Sequence, residues 1–313
     1  MPELPEVETI RRGLLKCIRG LKISEVKVFC GKSFPGPVET ILGATVKDLR
    51  RFGKALVIDL NNEVSLICHL RMTGQMIYRG MKDFAGGHPS ESFVEKLPNK
   101  QTRVEIEFED GSKLFFNDQR KFGFMKPVPT EEVSKDKFIA SLAPEPWQMT
   151  GQEFYERLQR HKGAPIKAVI LDQKVICGLG NIYADEALFF AKIHPERKAG
   201  TISKKEAELL LEGAREVMER SIESGGSTMA TYVKADGTRG DYLELFAKVF
   251  RREGKECERC GAEIVKIRVA GRGTHICPGC QSWDFLSERK SQRKKPSKVS
   301  KSRTCRDFET ENI

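Results

Sequence analysis

Met1-Pro2-Glu3-Leu4-Pro5-Glu6-Val7-Glu8-Thr9 opens the chain, and the remaining sequence is best read outward from it. Val7, Ile10, Leu14, Leu15 and Ile18 recur at helical spacing, which predicts a helix from about Glu6 to Arg19 stopped by Gly20. Two acids, Glu3 and Glu6, lie at its start. One reading is an ordinary helix entry, where carboxylates suit the positive end of the dipole. The other reading is chemical and depends on the amine. Removal of Met1, which a small second residue permits, makes Pro2 the N-terminal residue. An N-terminal amine titrates near 7.7–8.0, against about 10.4 for lysine, so a useful fraction is unprotonated at neutral pH. Attack on an aldehyde carbon such as C1′ of a deoxyribose gives a carbinolamine and then an iminium. A secondary amine gives an iminium that stays cationic, an electron sink that acidifies the neighbouring C2′ protons. Glu3 and Glu6 are close enough in sequence to supply the acid and the supporting carboxylate. On these residues alone the ordinary helix entry remains the simpler reading.

Beyond the helix, alternating segments predict strands at Ile23–Phe29, Ala44–Phe52, Lys54–Leu60, Val64–Leu70, Thr102–Phe108 and Lys113–Asn117. Asp110-Gly111 reads as a hairpin turn. Residues 79–101 read as a loop, and Pro127 to Trp147, with Pro129, Pro144 and Pro146, reads as a linker. The pattern then becomes helical. Thr150–Glu153 and Ser203–Glu206 are capping-box signatures ahead of Phe154–His161 and of a long helix to about Glu223. Between them a helix is expected from near Pro165 through Lys167–Asp172, and another over Ile182–Ala191 after Gly178-Leu179-Gly180-Asn181. The expected class is α+β. A β-sandwich domain occupies 1–130 and a linker 131–149. A helical domain at 150–250, a zinc finger at 251–283 and a basic tail at 284–313 follow.

Cys257-Glu258-Arg259-Cys260 and Cys277-Pro278-Gly279-Cys280 are two C-x2-C pairs sixteen residues apart. Four thiolates presented from two turns select one tetrahedral, closed, structural Zn2+. Ile264–Val269 and Thr274–Ile276 alternate like a two-stranded ribbon that presents Arg272. Such a ribbon equally suits a transcription factor or a protein-interaction module. The other cysteines of the nine are scattered, so a disulfide framework is not expected. The net charge of +10 and pI near 9.1 favour a polyanionic partner without proving one. No basic-then-apolar leader and no run of about 20 apolar residues is present, so a cytoplasmic, membrane-free protein is expected. Ser287–Arg306 carries nine Lys or Arg and one acid and reads as a disordered tail, either a DNA tether or simply solvated.

Four separated motifs together resemble the formamidopyrimidine-DNA glycosylase family. They are Pro2 to Thr9, Gly178-Leu179-Gly180-Asn181-Ile182-Tyr183-Ala184-Asp185-Glu186, Gly225-Gly226-Ser227-Thr228 with Asp236-Gly237, and the four cysteines. The second resembles the family's helix–two-turns–helix motif and the third its lesion-recognition loop. The resemblance implies Pro2 as Schiff-base nucleophile, Glu3 as catalytic acid, Glu6 as supporting carboxylate and Lys54 as a lysine assisting at the lesion and its phosphate. It implies Met72 as the wedge filling the place of a flipped base, Arg120 pairing with the orphaned base, and Phe122 wedged between bases. Asn181 and Lys167 become phosphate contacts, the former at a helix start with free N–H groups. Arg272 becomes the grip on the phosphates flanking the lesion. Without the resemblance, Lys54 reads as a solvated strand-edge lysine and Met72 as core packing. Gly178-x-Gly180 lacks the third glycine and the acid of a dinucleotide site.

Some positions depart from the family pattern. Gln119 stands where proline is usual, Lys121 where arginine is common and Gln101 where histidine is expected, and the 79–101 segment is long. The implied function is base-excision repair. A monomer would remove 8-oxoguanine and formamidopyrimidines from double-stranded DNA and cut the abasic strand by β,δ-elimination. The alternatives are an endonuclease VIII-like enzyme for oxidised pyrimidines and a non-catalytic zinc-ribbon DNA-binding protein. Leu4, Val7-Glu8-Thr9 and the long Gly225–Tyr242 loop favour the purine branch.

Overall fold

A computed structural model describes residues 1–88, 95–226 and 245–282. The expected recognition-loop residues Ser227, Thr228, Asp236 and Gly237, and the basic tail, lie outside the described residues. Helix α1 spans Leu4–Ile18 and starts earlier than its apolar spacing predicts. Pro5 in its first turn needs no N–H partner and has φ preset, while the Glu6 carboxylate accepts the Glu3 N–H at 2.8 Å. Val7, Ile10, Leu14 and Ile18 form its buried stripe.

Nine strands follow: β1 (Ile23–Val28), β2 (Val46–Phe52), β3 (Ala55–Leu60), β4 (Val64–His69), β5 (Gly74–Arg79), β6 (Phe84–Gly87), β7 (Thr102–Phe108), β8 (Lys113–Asp118) and β9 (Phe124–Pro129). They make two antiparallel sheets, ordered β2-β3-β4-β9 and β1-β7-β8-β5-β6. Leu49, Leu56, Ile58, Leu66 and Cys68 of the first sheet pack with Met76, Tyr78, Val104, Ile106, Leu114 and Phe116 of the second, closed by α1. This is the expected sandwich. Asp110-Gly111 turns β7 into β8 with Gly111 at φ +79°.

Two expectations need correction. The 79–101 segment contains β6, an edge strand too short and glycine-rich to show periodicity, whose Phe84 packs under α1. Residues 127–147 are more than a linker. Pro127 and Pro129 finish β9, an edge strand where a missing N–H is tolerated. Val133 and Ile139 then pack on Val57 and Ile67, covering the outer face of the four-stranded sheet. That cover explains why β3 is buried at every position.

Helix α2 (Lys137–Ala140) belongs to that cover, and the helical part comprises α3 (Gly151–Gln159), α4 (Ile166–Ile170), α5 (Asn181–Phe190) and α6 (Lys204–Glu223). Thr150 and Ser203 cap α3 and α6 as their capping boxes predict. Helix α5 is buried from Ile182 through Phe189, because α6, α4 and the cysteine hairpin surround it. That hairpin pairs β10 (Val265–Val269) with β11 (Arg272–Ile276). Ala270 and Gly271 both have positive φ, as a two-residue type I′ turn requires, which leaves Arg272 exposed beside the turn.

Gly13, within α1, faces β6, and a Cβ there would lie 1.8 Å from the Phe84 ring. Gly→Ala inside an exposed helix stabilises by about 1 kcal/mol through propensity. Here overpacking reverses the sign. Gly13→Ala should lower stability in urea unfolding by about 1–3 kcal/mol. An unchanged or raised midpoint would refute the α1–β6 packing.

Candidate active site and nucleic-acid interface

The first residues of α1 run directly into the start of α5. Leu4 N–H donates to the Gly178 carbonyl at 3.2 Å. The buried Glu3 carboxylate accepts N–H bonds from Gly180 at 2.7 Å and Ile182 at 3.0 Å. Helix-terminal N–H groups and the dipole suit an anion there, but the anion is a side chain of this protein. The expectation of free N–H groups for DNA phosphate at Asn181 therefore fails for these donors. The glycines follow from the same approach. A Cβ on Gly180 would sit 2.2 Å from Glu3 Cδ, and one on Gly178, at φ +96°, 2.4 Å from Leu4. Gly178-x-Gly180 is a seat for the amino terminus.

Burial raises the Glu3 pKa to about 7. Lys54 and the helix N–H groups oppose the rise, and Glu6 adds to it. The Met1 amine, one residue ahead of Pro2, lies beside these carboxylates, where burial draws its pKa down against the pull of Glu3 and Glu6. Glu6 is held by the Tyr183 hydroxyl, which donates to Oε1 at 2.6 Å and lies 2.5 Å from Ser221 Oγ.

Lys54 is 6% exposed, unlike a solvated strand-edge lysine. It follows Gly53, which has φ +55°, in the β2–β3 turn, and Nζ donates to the Leu179 carbonyl at 2.6 Å. Burial lowers its pKa, and Glu3 is the main opposing charge. Glu145 fixes that turn by accepting the Gly53 N–H at 3.0 Å and pairing with Arg51, whose Nε also reaches Glu8 at 3.0 Å. Pro2, Glu3, Glu6 and Lys54 are thus brought together.

Met72, Arg120 and Phe122 form a second group. Met72 and Phe122 are 41% and 55% exposed, large apolar side chains directed outward rather than into a core. They occupy the adjacent β4–β5 and β8–β9 crossings between the two sheets, where Gly74 pairs with Asp118 and His69 with Phe124. The Arg120 guanidinium stacks on the Phe122 ring at 4.8 Å. Buried Asp118 ties the loops together, accepting N–H bonds from Phe122 (2.8 Å) and Gly123 (2.7 Å) and the Thr73 hydroxyl. His69 pairs across from Ala55, so this edge continues to Lys54.

Lys167 requires correction as a phosphate contact. It is fully buried, and its ammonium reaches Asp185 Oδ1 at 2.6 Å, Thr274 Oγ1 at 2.7 Å and the Gly273 carbonyl at 3.3 Å. Two hydrogen bonds and the ion pair to Asp185 turn the ammonium inward. The Asn181 amide likewise donates to Gly273 O at 2.9 Å. Arg272 remains exposed, close enough for its charge to help depress both buried lysines.

Cys257, Cys260, Cys277 and Cys280 place their sulfurs within 4.8 Å of one another, with Cys260–Cys277 at 3.3 Å and Cys257–Cys280 at 3.9 Å. Zn–S bonds of about 2.3 Å in a tetrahedron put sulfurs about 3.8 Å apart, so the set fits one structural zinc. With four protein ligands no position is open for chemistry.

Sequence reading missed Tyr183, Ser221, Asp118, Glu145, Asp185 and Glu186. The last accepts N–H bonds from Lys248, Val249 and Phe250 at 2.8–3.0 Å, tying α5 to the segment before the zinc hairpin. Tyr183, Asp185 and Glu186 stood inside the Gly178–Glu186 motif without a role of their own, and the two acids in a largely apolar helix were the advance signal. Among the described residues no helix is long and apolar enough to cross a membrane.

A β-sandwich whose amino terminus is seated on a helix–two-turns–helix unit, with a four-cysteine hairpin beside it, defines a class of DNA glycosylases. Residues 1–125 match the formamidopyrimidine-DNA glycosylase N-terminal domain, 142–233 the H2TH domain of the same enzymes, and 254–282 a zinc finger found in FPG and IleRS. The formamidopyrimidine-DNA glycosylase of Pelotomaculum thermopropionicum is 40% identical over 287 residues, covering 90% of this chain and 99% of the relative. That of Enterococcus faecalis is 40% identical over 288 residues, covering 90% and 97%. The Lactococcus lactis formamidopyrimidine-DNA glycosylase bound non-covalently to AP-site DNA superposes with TM-score 0.78 at 33% identity, over 90% of this chain and 100% of that one. The same enzyme with N7-benzyl-Fapy-dG DNA gives TM-score 0.79 at 33% identity over the same shares. The chain belongs to the formamidopyrimidine-DNA glycosylase family.

Removal of zinc by a chelator should unfold the hairpin and release the constraint on Arg272, while the sandwich, which holds none of the four cysteines, stays folded. DNA affinity measured by fluorescence anisotropy should fall by more than about tenfold, with the β-sheet circular dichroism retained. Full affinity in demonstrably zinc-free protein would contradict this.

Proposed function

We propose that this protein is a bifunctional DNA glycosylase of base-excision repair, removing 8-oxoguanine and formamidopyrimidines from duplex DNA and then cutting the abasic strand. The observation that carries the reading is the convergence of amine, Glu3, Glu6 and Lys54 at the start of α5. Once Met1 is removed, the Pro2 nitrogen attacks C1′ and the bond to the base breaks, its electron pair leaving on the base, which takes up the proton that the amine sheds. Glu3, about half protonated near pH 7, gives its proton to the deoxyribose ring oxygen as the ring opens. The iminium acidifies C2′. Loss of a C2′ proton expels the 3′-phosphate, and a second elimination expels the 5′-phosphate. Glu6 holds the Glu3 backbone N–H and fixes the geometry of the amine. Lys54 adds positive charge beside the reacting sugar and its phosphate.

Met72, Phe122 and Arg120 enter the duplex where the damaged base leaves it. Extruding a base costs a few kcal/mol, and exposed apolar wedges held on short, Asp118-braced loops offset that cost. Arg272 grips the flanking phosphates, and zinc, when bound, holds its hairpin folded. All of these groups come from one chain, which suits a monomer acting on chromosomal DNA in the cytoplasm. The match to formamidopyrimidine-DNA glycosylases over 90% of the chain favours oxidised purines over the oxidised pyrimidines of the endonuclease VIII-like branch.

Borohydride reduction in the presence of duplex DNA with a single 8-oxoguanine opposite cytosine tests the reaction. Wild type should give a covalent adduct on the N-terminal peptide, and Pro2→Gly should give little or none. Absence of an adduct from Met1-processed, zinc-loaded protein, on this lesion and on oxidised pyrimidines, would leave a DNA-binding protein without lyase chemistry.

A further inference from the structure

Asp185 is buried to 1% exposure in α5, one turn beyond Asn181 on the same helix face, and no step of the reaction uses it. Its Oδ1 pairs with Lys167 at 2.6 Å, and its Oδ2 accepts the His275 N–H of β11 at 2.9 Å. Lys167 passes the connection on to Thr274 Oγ1 and Gly273 O, and Asn181 makes a second bond to Gly273 O. Three consecutive residues of β11, Gly273 to His275, are therefore tied to α5 by polar bonds. Arg272 is the residue immediately before them. Zinc closes the opposite end of the hairpin, so the metal alone leaves the Arg272 end free to swing on a two-residue turn. Helix α5 is also the element whose first turn holds Glu3 and whose preceding carbonyl holds Lys54.

We infer that Asp185 is a positioning residue for Arg272: with Lys167 it docks β11 on α5 and fixes where the phosphate grip stands. This rests on the reading of Arg272 as a phosphate contact. A buried ion pair contributes little net stability compared with apolar residues of similar size, so specificity of position is the role the pair is suited to.

Lys167→Met/Asp185→Leu removes both charges together, leaves neither partner uncompensated, and cuts the ties to β11. The test compares this pair, Arg272→Ala and the triple variant, all as full-length zinc-loaded protein. The probe is a duplex carrying the tetrahydrofuran abasic analogue, titrated at several salt concentrations. The pair should stay folded with its zinc, its melting temperature lowered only by the loss of the acceptor for the His275 N–H, yet bind about tenfold more weakly, as Arg272→Ala does. The salt slope should fall by about 0.9 in each, the signature of one lost phosphate contact, and the triple variant should be no worse than Arg272→Ala. Single-turnover excision at saturating protein should change by less than about twofold in the pair. Asp185→Asn, which keeps an acceptor for the His275 N–H but strips the buried Lys167 ammonium of its counter-charge, is the second variant: in folded, zinc-loaded protein it should lose affinity and salt slope in the same direction as the pair, and wild-type values would overturn the inference. Additive losses in the triple variant, or an unchanged salt slope in the pair, would overturn the inference while leaving Arg272 as a grip. An Arg272→Ala variant with wild-type affinity and slope would overturn the phosphate reading and the inference with it.

Discussion

The carboxylate of Glu3 on the first N–H groups of α5 is the contact on which the rest of the site depends. It joins residue 3 to residues 180 and 182 and so brings the chain's amine to the junction of sandwich and helices. Hydrogen bonds to a charged group contribute about 1.5–3 kcal/mol each, more than an ordinary protein hydrogen bond. The same contact sets the chemistry. Burial and Glu6 raise the Glu3 pKa, the helix N–H groups and Lys54 hold it down, and the balance lies at about 7. A fully buried acid without those donors would stay protonated, and a solvated one would be ionised at neutral pH.

From this contact the organisation of the molecule follows. Helix α5 holds three things with different faces: Glu3 at its first turn, the cysteine hairpin through Asn181 and Asp185, and the segment before that hairpin through Glu186. Its apolar remainder packs into the helical core. The carbonyl of Leu179, just ahead of it, anchors Lys54 from the sandwich. The wedge residues stand apart, on sheet crossings braced by Asp118, where a large exposed side chain can enter DNA without disturbing the acid.

Much of this was legible in the sequence, for definable reasons. Periodicity exposed α1, the capping boxes exposed α3 and α6, and thiolate spacing exposed the hairpin, because each is a local signal. Strand β6 was hidden because its Phe-Ala-Gly-Gly has no alternation, and the packed segment after β9 was hidden because its prolines mask Val133 and Ile139. The site residues were named through resemblance, but their environments were not legible. Lys54 is buried by a carbonyl 125 residues away, and Lys167 is consumed by an aspartate and a hairpin about 100 residues downstream. Tyr183 and Ser221 look like any core tyrosine and helix serine until Glu6 is placed beside them. Long-range pairing of buried polar groups leaves no periodic trace.

The pH dependence of single-turnover 8-oxoguanine excision, in wild type and Gly180→Ala, tests the central contact most directly. Glu3 must be protonated to act as the acid, so the wild-type rate should decline above about pH 7. A Cβ at residue 180 displaces the carboxylate from donors that stabilise its charged form, which raises its pKa. The declining limb should then move upward by about one unit per lost hydrogen bond in a variant that still folds and binds DNA. A limb at the same pH in both proteins would contradict the account and separate the rate-controlling acid from Glu3 on α5.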